Sequence, residues 1–209
     1  MRIDRRRFLT ISAAVAGAAL LLPRGLLAAP QATVWRGQAL GAPTTLILNH
    51  PDPARAQALL RETAAELRRL EAIFTLYRAE SELSRLNRDG YLLAPSPEML
   101  AALDLAGRVH VATGGRFDPT VQPLWRAYAA GDAQAIAAAR SGLGFGRVRI
   151  SRARILLAPG QALTLNGIAQ GVITDRITDL LRAGGAEHTL VDMGAVSYTH
   201  LTLPTSDLV

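Results

Sequence analysis

From Pro53 to about residue 76 the chain repeats apolar residues at helical spacing: Leu59, Leu60, Leu67, Leu70, Ile73 and Phe74. This pattern constrains the fold more than any other feature. A long helix with one apolar stripe must bury that stripe against other elements. Asp52-Pro53 supplies its start, a capping residue followed by proline in the first turn. Before it, TVWRGQALGAPTTLILNH reads as two extended pieces around a glycine turn at Gly41. After it, a short helical turn starts near Ser81, and Ser96-Pro97 opens a second helix with Leu100, Leu103, Ala106 and His110 on one face. Gly114-Gly115 closes that helix. FDPTVQPLW at 117–125 is expected to be irregular, because two prolines forbid regular pairing. An Ala-rich helix near 132–140, the strands RVRI and ILLA around a turn at 151–154, and a further strand LTLN follow. A helix over 168–183 ending at Gly184-Gly185 and a last strand in HTLVDMG complete the order. Helices mixed with hairpins predict an α+β class: a single domain of mixed and antiparallel strands packed with helices.

Composition narrows the function. Hydrophobic residues make up 49% of the 209 and charged residues 19%, which suits a globular chain. The net charge is +6, but Arg2, Arg5, Arg6, Arg7 and Arg24 against Asp4 account for most of it. What remains argues for no nucleic-acid partner. Those arginines belong to residues 1–29, where DRRRFL precedes a modestly apolar stretch and an Ala-rich exit. They are expected to form a twin-arginine (Tat) export signal leading to the periplasm. The apolar run is too short to span a bilayer comfortably. The chain has no cysteine, hence no disulfide, thiolate metal site or cysteine nucleophile. No two of His50, His110, His188 and His200 stand at a helical metal-binding spacing. After Arg182 no arginine occurs, and residues 196–209 are expected to be a tail foreign to the native sequence.

Three segments carry candidate chemistry. In LTLNGIAQGVITD, at 163–175, an extended run enters a helix through Gly167 and Gly171. A helix start of this kind exposes N–H groups to anions, and glycine lets a phosphate or another backbone approach. The competing reading is tight helix packing alone. TGGRFDPTVQPLW, at 113–125, holds polar groups between stiffening prolines. There Asp118 is a candidate cation ligand, ribose or adenine acceptor, base, or simple turn former before Pro119. Phe117 and Trp125 are candidates to stack on a flat ring or to anchor the core. In TLYRAESELSRLN, Ser81 caps a short helix and Tyr77 lines a pocket or covers the core.

In this order the three segments resemble the ApbE family, the FAD:protein FMN transferases. The matches are Leu40-Gly41-Ala42, Tyr77 to Asn87, Gly114 to Leu124, Gly167 to Val172 and Leu190 to Gly194. The resemblance implies an ApbE-like (T-fold-like) domain over residues 30–195, truncated at its C-terminus. It also implies an Mg2+-dependent reaction: a threonine hydroxyl of an acceptor protein attacks FAD, AMP leaves, and FMN stays attached. It assigns FAD contacts to Leu40, Tyr77, Arg116, Phe117, Asp118, Asn166 and Val172, and a magnesium ligand to the carbonyl of Ala169. The acceptor would belong to a membrane respiratory or redox complex. The alternatives are a non-catalytic flavin-binding or donor protein for respiratory complex maturation, and an FAD pyrophosphatase. Gln170 stands where a lysine is common, and Val172 where an aromatic is usual. The family's side-chain magnesium ligands, an Asp and a Thr, belong to a C-terminal portion beyond these matches. Metal binding and transferase activity of these 209 residues are therefore expected to be weak.

Overall fold

The computed structural model describes residues 32–186, 188–192 and 197–199. The export signal expected over residues 1–29 lies outside the described residues, as does most of the tail expected to be foreign.

Strands β1 (Thr33–Ala39) and β2 (Ala42–Asn49) form an antiparallel hairpin closed by Leu40 and Gly41. Both turn residues have positive φ, 51° and 81°, the pairing that matches the twist of two strands. A leucine adopts that conformation only under constraint. Here the constraint is tertiary: the Leu40 N–H donates to Glu71 Oε1 at 2.7 Å, from the helix packed beside the hairpin. That helix, α1 (Pro53–Phe74), is the one the apolar stripe predicts. Asp52 caps it by accepting from the amides of Ala54 and Arg55.

Next come α2 (Glu82–Asp89), capped by Ser81, strand β3 (Tyr91–Leu93), and α3 (Pro97–Ala112), capped by Ser96. The segment read as irregular turns out to be ordered. A 3-10 turn (Pro119–Val121) leads into helix α4 (Gln122–Ala130). Each proline occupies a first turn, where its missing N–H costs no hydrogen bond, so proline starts these elements rather than breaking them. Helix α5 (Ala133–Gly142), strands β4 (Arg149–Ile150) and β5 (Arg154–Leu156), helix α6 (Asn166–Ala183), and strands β6 (His188–Asp192) and β7 (Ser197–Thr199) complete the order.

The strands make two antiparallel sheets, β1-β2-β6-β7 and β3-β5-β4. The larger sheet buries Thr44, Leu46, Leu48 and Val191 on one face. Helices α1 and α6 pack against each other beside this sheet, and α3 packs against both. Leu59, Leu70, Leu103, Ile173 and Ile177 are fully buried where these layers meet. Each such side chain contributes roughly 1.5–3 kcal/mol.

The predicted strand LTLN is not a strand. Its alternation is real, since Leu163 and Leu165 are fully buried, but no neighbouring strand pairs with it among the described residues. The side chain of Asn87 takes the strand's place. Its Oδ1 accepts from the Leu163 N–H at 2.6 Å, and its Nδ2 donates to the Leu163 carbonyl at 2.8 Å.

Charge joins the helices outside the core. Arg69 donates to Glu66 on its own helix and to Glu98 of α3, while Arg176 of α6 donates to Glu66 at 3.1 Å. The Arg69 hydrogen bond, opposed by partial burial and helped by Arg176, holds the Glu66 carboxyl at about 2, well below 4.5. A depressed carboxylate stabilises the fold above its unfolded value and stops doing so as pH falls through its folded one. Glu66→Gln is therefore expected to cost about 1–2 kcal/mol at neutral pH, with solvent screening of the half-exposed arginines allowed for. In urea titrations the gap from the unsubstituted chain should narrow between pH 4.5 and about 2. A gap independent of pH would show that Glu66 acts through packing and not charge.

Candidate functional site

A cleft of about 870 Å³ opens where five segments meet: the end of α1, the 115–121 loop, the start of α4, the Leu143-Gly144 loop and the start of α6. Asp118 organises it. Its Oδ1 accepts from the Thr120 N–H at 2.8 Å and from the Thr120 hydroxyl at 2.6 Å. Its Oδ2 accepts from the Phe145 N–H at 3.2 Å, and the Thr120 oxygen in turn accepts from the Gly144 N–H at 3.0 Å. One carboxylate thus caps the 3-10 turn and ties it to a loop 27 residues away in sequence. The turn-forming reading of Asp118 describes what it does here. With donors on both oxygens, it is a clamp rather than a poised base.

His110 braces the same loop. Its Nδ1 lies 2.7 Å from the Phe117 carbonyl, and since a carbonyl only accepts, Nδ1 carries the proton. The Thr113 hydroxyl accepts from the Phe117 N–H at 3.1 Å. Phe117 is consequently held on both sides. Its ring lies so close to Gly167 that a Cβ there would stand 3.3 Å from Cε2. A side chain at Gly171, one turn on, would meet open space, so close packing explains only the first of the two glycines.

Helix α6 begins at this cleft with no side-chain cap. The amides of Ile168 and Ala169 both turn back to the Leu165 carbonyl, whereas Asn166 and Gly167 line the cleft. The Asn166 N–H donates to the Thr164 hydroxyl oxygen at 3.4 Å. This leaves the Gly167 N–H as the open donor of a helix start that carries partial positive charge, a seat for an anion. Arg116 and Arg126 line the same cleft. Its one acidic side chain, Asp118, is already engaged, so the cavity is electropositive. Tyr77 and Trp125 line it too, 78% and 64% exposed. Trp125 is therefore no core anchor, and both rings are free to cover a flat ligand.

Of the seven residues to which the resemblance assigns FAD contacts, the structure brings five together in the cleft: Tyr77, Arg116, Phe117, Asp118 and Asn166. Trp125 and Gly167, also singled out in the sequence, join them. Leu40, Val172 and Ala169 do not line the cleft. Leu40 and Val172 are half-buried against the core, and Ala169 is buried in the first turns of α6. Sequence reasoning missed Gln122 and Arg126. They stand with Trp125 at the i, i+3, i+4 spacing of one helix face, a signal hidden by reading the two prolines as breakers.

Two antiparallel sheets and a packed helix trio, with an electropositive cleft at a helix start, define an α+β domain. Solved structures share this architecture. The flavin transferase ApbE from Vibrio cholerae superposes with a TM-score of 0.74 at 24% identity, over 81% of this chain and 59% of that one. The flavinyl transferase ApbE of Pseudomonas stutzeri, in its apo form, gives 0.69 at 27% identity, over 81% and 56%. Among curated proteins, the FAD:protein FMN transferase of Klebsiella pneumoniae (strain 342) is 28% identical over 182 residues, covering 79% of this chain and 52% of the relative. The chain thus spans about half the length of the curated relative it matches. The profile of the ApbE family matches residues 40–200. The chain belongs to the ApbE family.

Proposed function

We propose that this chain binds FAD as the donor-binding part of an FAD:protein FMN transferase, exported to the periplasm by its Tat signal. The observation that carries the reading is the uncapped start of α6 opening onto the cleft that holds Arg116 and two exposed aromatic rings. A dinucleotide joins a diphosphate to two flat rings, and this wall offers a counterpart to each. In the proposed reaction the threonine hydroxyl of an acceptor attacks the phosphorus on the FMN side. The bond from that phosphorus to the bridging oxygen breaks, AMP departs with that oxygen, and the hydroxyl proton passes to solvent as the new phosphodiester forms. Phosphoryl transfer draws mostly on positioning and charge stabilisation, which rigid backbone dipoles and arginines provide. Arg116 and the Gly167 amide at the start of α6 neutralise the phosphates, Tyr77 and Trp125 cover the rings, and Asp118 keeps the loop in shape.

Magnesium, implied by the family, does not fit the residues present. Among the described residues no group of three or more His, Asp or Glu side chains is placed to hold an ion. The Asp118 oxygens face N–H and O–H donors. The Ala169 carbonyl belongs to the α6 ladder and offers one spare lone pair.

The engaged state of Asp118 favours a second reading, flavin-nucleotide binding without transfer. Incubation with FAD, Mg2+ and an acceptor peptide separates the readings. Covalent flavin fluorescence on a denaturing gel supports transfer, free FMN with AMP supports the pyrophosphatase, and intact FAD that remains bound supports binding alone. Calorimetry should give saturable FAD binding by the 209-residue chain; none with saturating metal would overturn the proposal.

A further inference from the structure

Helix α4 presents Gln122, Trp125 and Arg126 to the cleft along one face. Gln122 is 7% exposed, and its side-chain amide makes no hydrogen bond with any described residue. That amide opens onto the cleft, where both its oxygen and its nitrogen are available to a ligand. Arg126, one turn further on, forms no ion pair with any described residue. The cleft holds no free carboxylate to neutralise it, because Asp118 is committed to Thr120 and Phe145. The start of α6, on another wall, adds the Gly167 N–H and the partial positive charge of a helix start. A cation, an amide donor and a helix start around one cavity suit a group with several charged oxygens. They offer nothing particular to a neutral ring.

We infer that Arg126, assisted by the Gln122 amide, grips the diphosphate and makes the cleft select a dinucleotide diphosphate over the uncharged flavin. This rests on the FAD-binding reading proposed above. A guanidinium suits this task because its planar fork of donors meets phosphate oxygens two at a time. Arg116, at the far end of the 115–121 loop, reaches the cleft from a separate element, so losing Arg126 should weaken the grip without abolishing it.

The test titrates the 209-residue chain with FAD and riboflavin by flavin fluorescence, and with ADP by displacement of FAD, at two salt concentrations. Arg126→Gln is expected to weaken FAD and ADP about tenfold, as for the loss of hydrogen bonds from a charged donor. It should leave riboflavin within about twofold and flatten the salt dependence of FAD binding. Arg126→Lys, which keeps the charge and loses the fork, should recover part of the loss. Arg126 is exposed, so both variants should retain the circular dichroism of the parent. If the parent binds FAD and Arg126→Gln binds FAD and ADP equally well, with the same salt dependence, the inference fails and the FAD-binding reading stands. An equal loss across FAD, ADP and riboflavin also overturns it, since that marks a structural role. A parent chain that binds none of the three ligands removes the underlying reading and the inference together.

Discussion

Asp118→Ala is expected to destabilise the chain by about 3–5 kcal/mol and to abolish measurable FAD binding. Three hydrogen bonds to a carboxylate disappear at once, from the Thr120 amide, the Thr120 hydroxyl and the Phe145 amide. Hydrogen bonds to charged groups contribute roughly 1.5–3 kcal/mol each, with overlap among neighbours. Thr120 is almost fully buried, so water restores little of what its groups lose. The loss also removes the Phe145 anchor of the Leu143-Gly144 loop, which stays tied to the 3-10 turn through the bond from the Gly144 N–H to the Thr120 hydroxyl, and both segments line the cleft. Asp118→Asn should fall between, because one oxygen still accepts while the amide nitrogen confronts the Phe145 N–H. Urea unfolding measures the first effect and FAD titration the second. Parent-like stability of Asp118→Ala would mean that the loop is organised by something else, with Thr120 and His110 the next groups to examine.

Asn87→Ala should cost about 2–3 kcal/mol, again read from urea unfolding. It removes both partners of the Leu163 backbone and leaves a buried N–H and C=O without them, each worth roughly 1–3 kcal/mol when unsatisfied. Amide exchange at Leu163 should quicken by more than exchange at Leu103, in the middle of α3. Asn87→Asp is expected to be no rescue. The carboxylate still accepts from the Leu163 N–H but sets a negative charge against the Leu163 carbonyl. Unchanged exchange at Leu163 in Asn87→Ala would refute the idea that a side chain stands in for a missing strand. The consequence reaches the cleft, because this segment leads directly into the start of α6.

These two residues show how unevenly the fold could be read in advance. Helix α1, its Asp52 cap and the caps at Ser81 and Ser96 agree with the sequence to within a residue or two, because periodicity and capping are local. The turn at Leu40-Gly41 was equally legible, although nothing nearby in sequence shows that Glu71 would hold a leucine in a left-handed conformation. Two segments went the other way. LTLN alternates like a strand, yet its partner is a side chain 76 residues away. FDPTVQPLW looks broken, yet its prolines begin helical turns. The misreading of the second hid the cleft-facing stripe of Gln122, Trp125 and Arg126.

Taken alone, the amino-acid order determined which stretches coil, which extend, where caps fall, and the succession of polar motifs by which the chain resembles its family. Such signals act over a few residues, through backbone sterics and side chains a turn apart. Only the three-dimensional packing decided that Tyr77, Arg116, Trp125, Arg126 and Gly167 share one cavity, and that the Asp118 carboxylate is committed to holding it together. Those outcomes depend on contacts between segments far apart in the chain, and no local pattern records which distant partner will arrive.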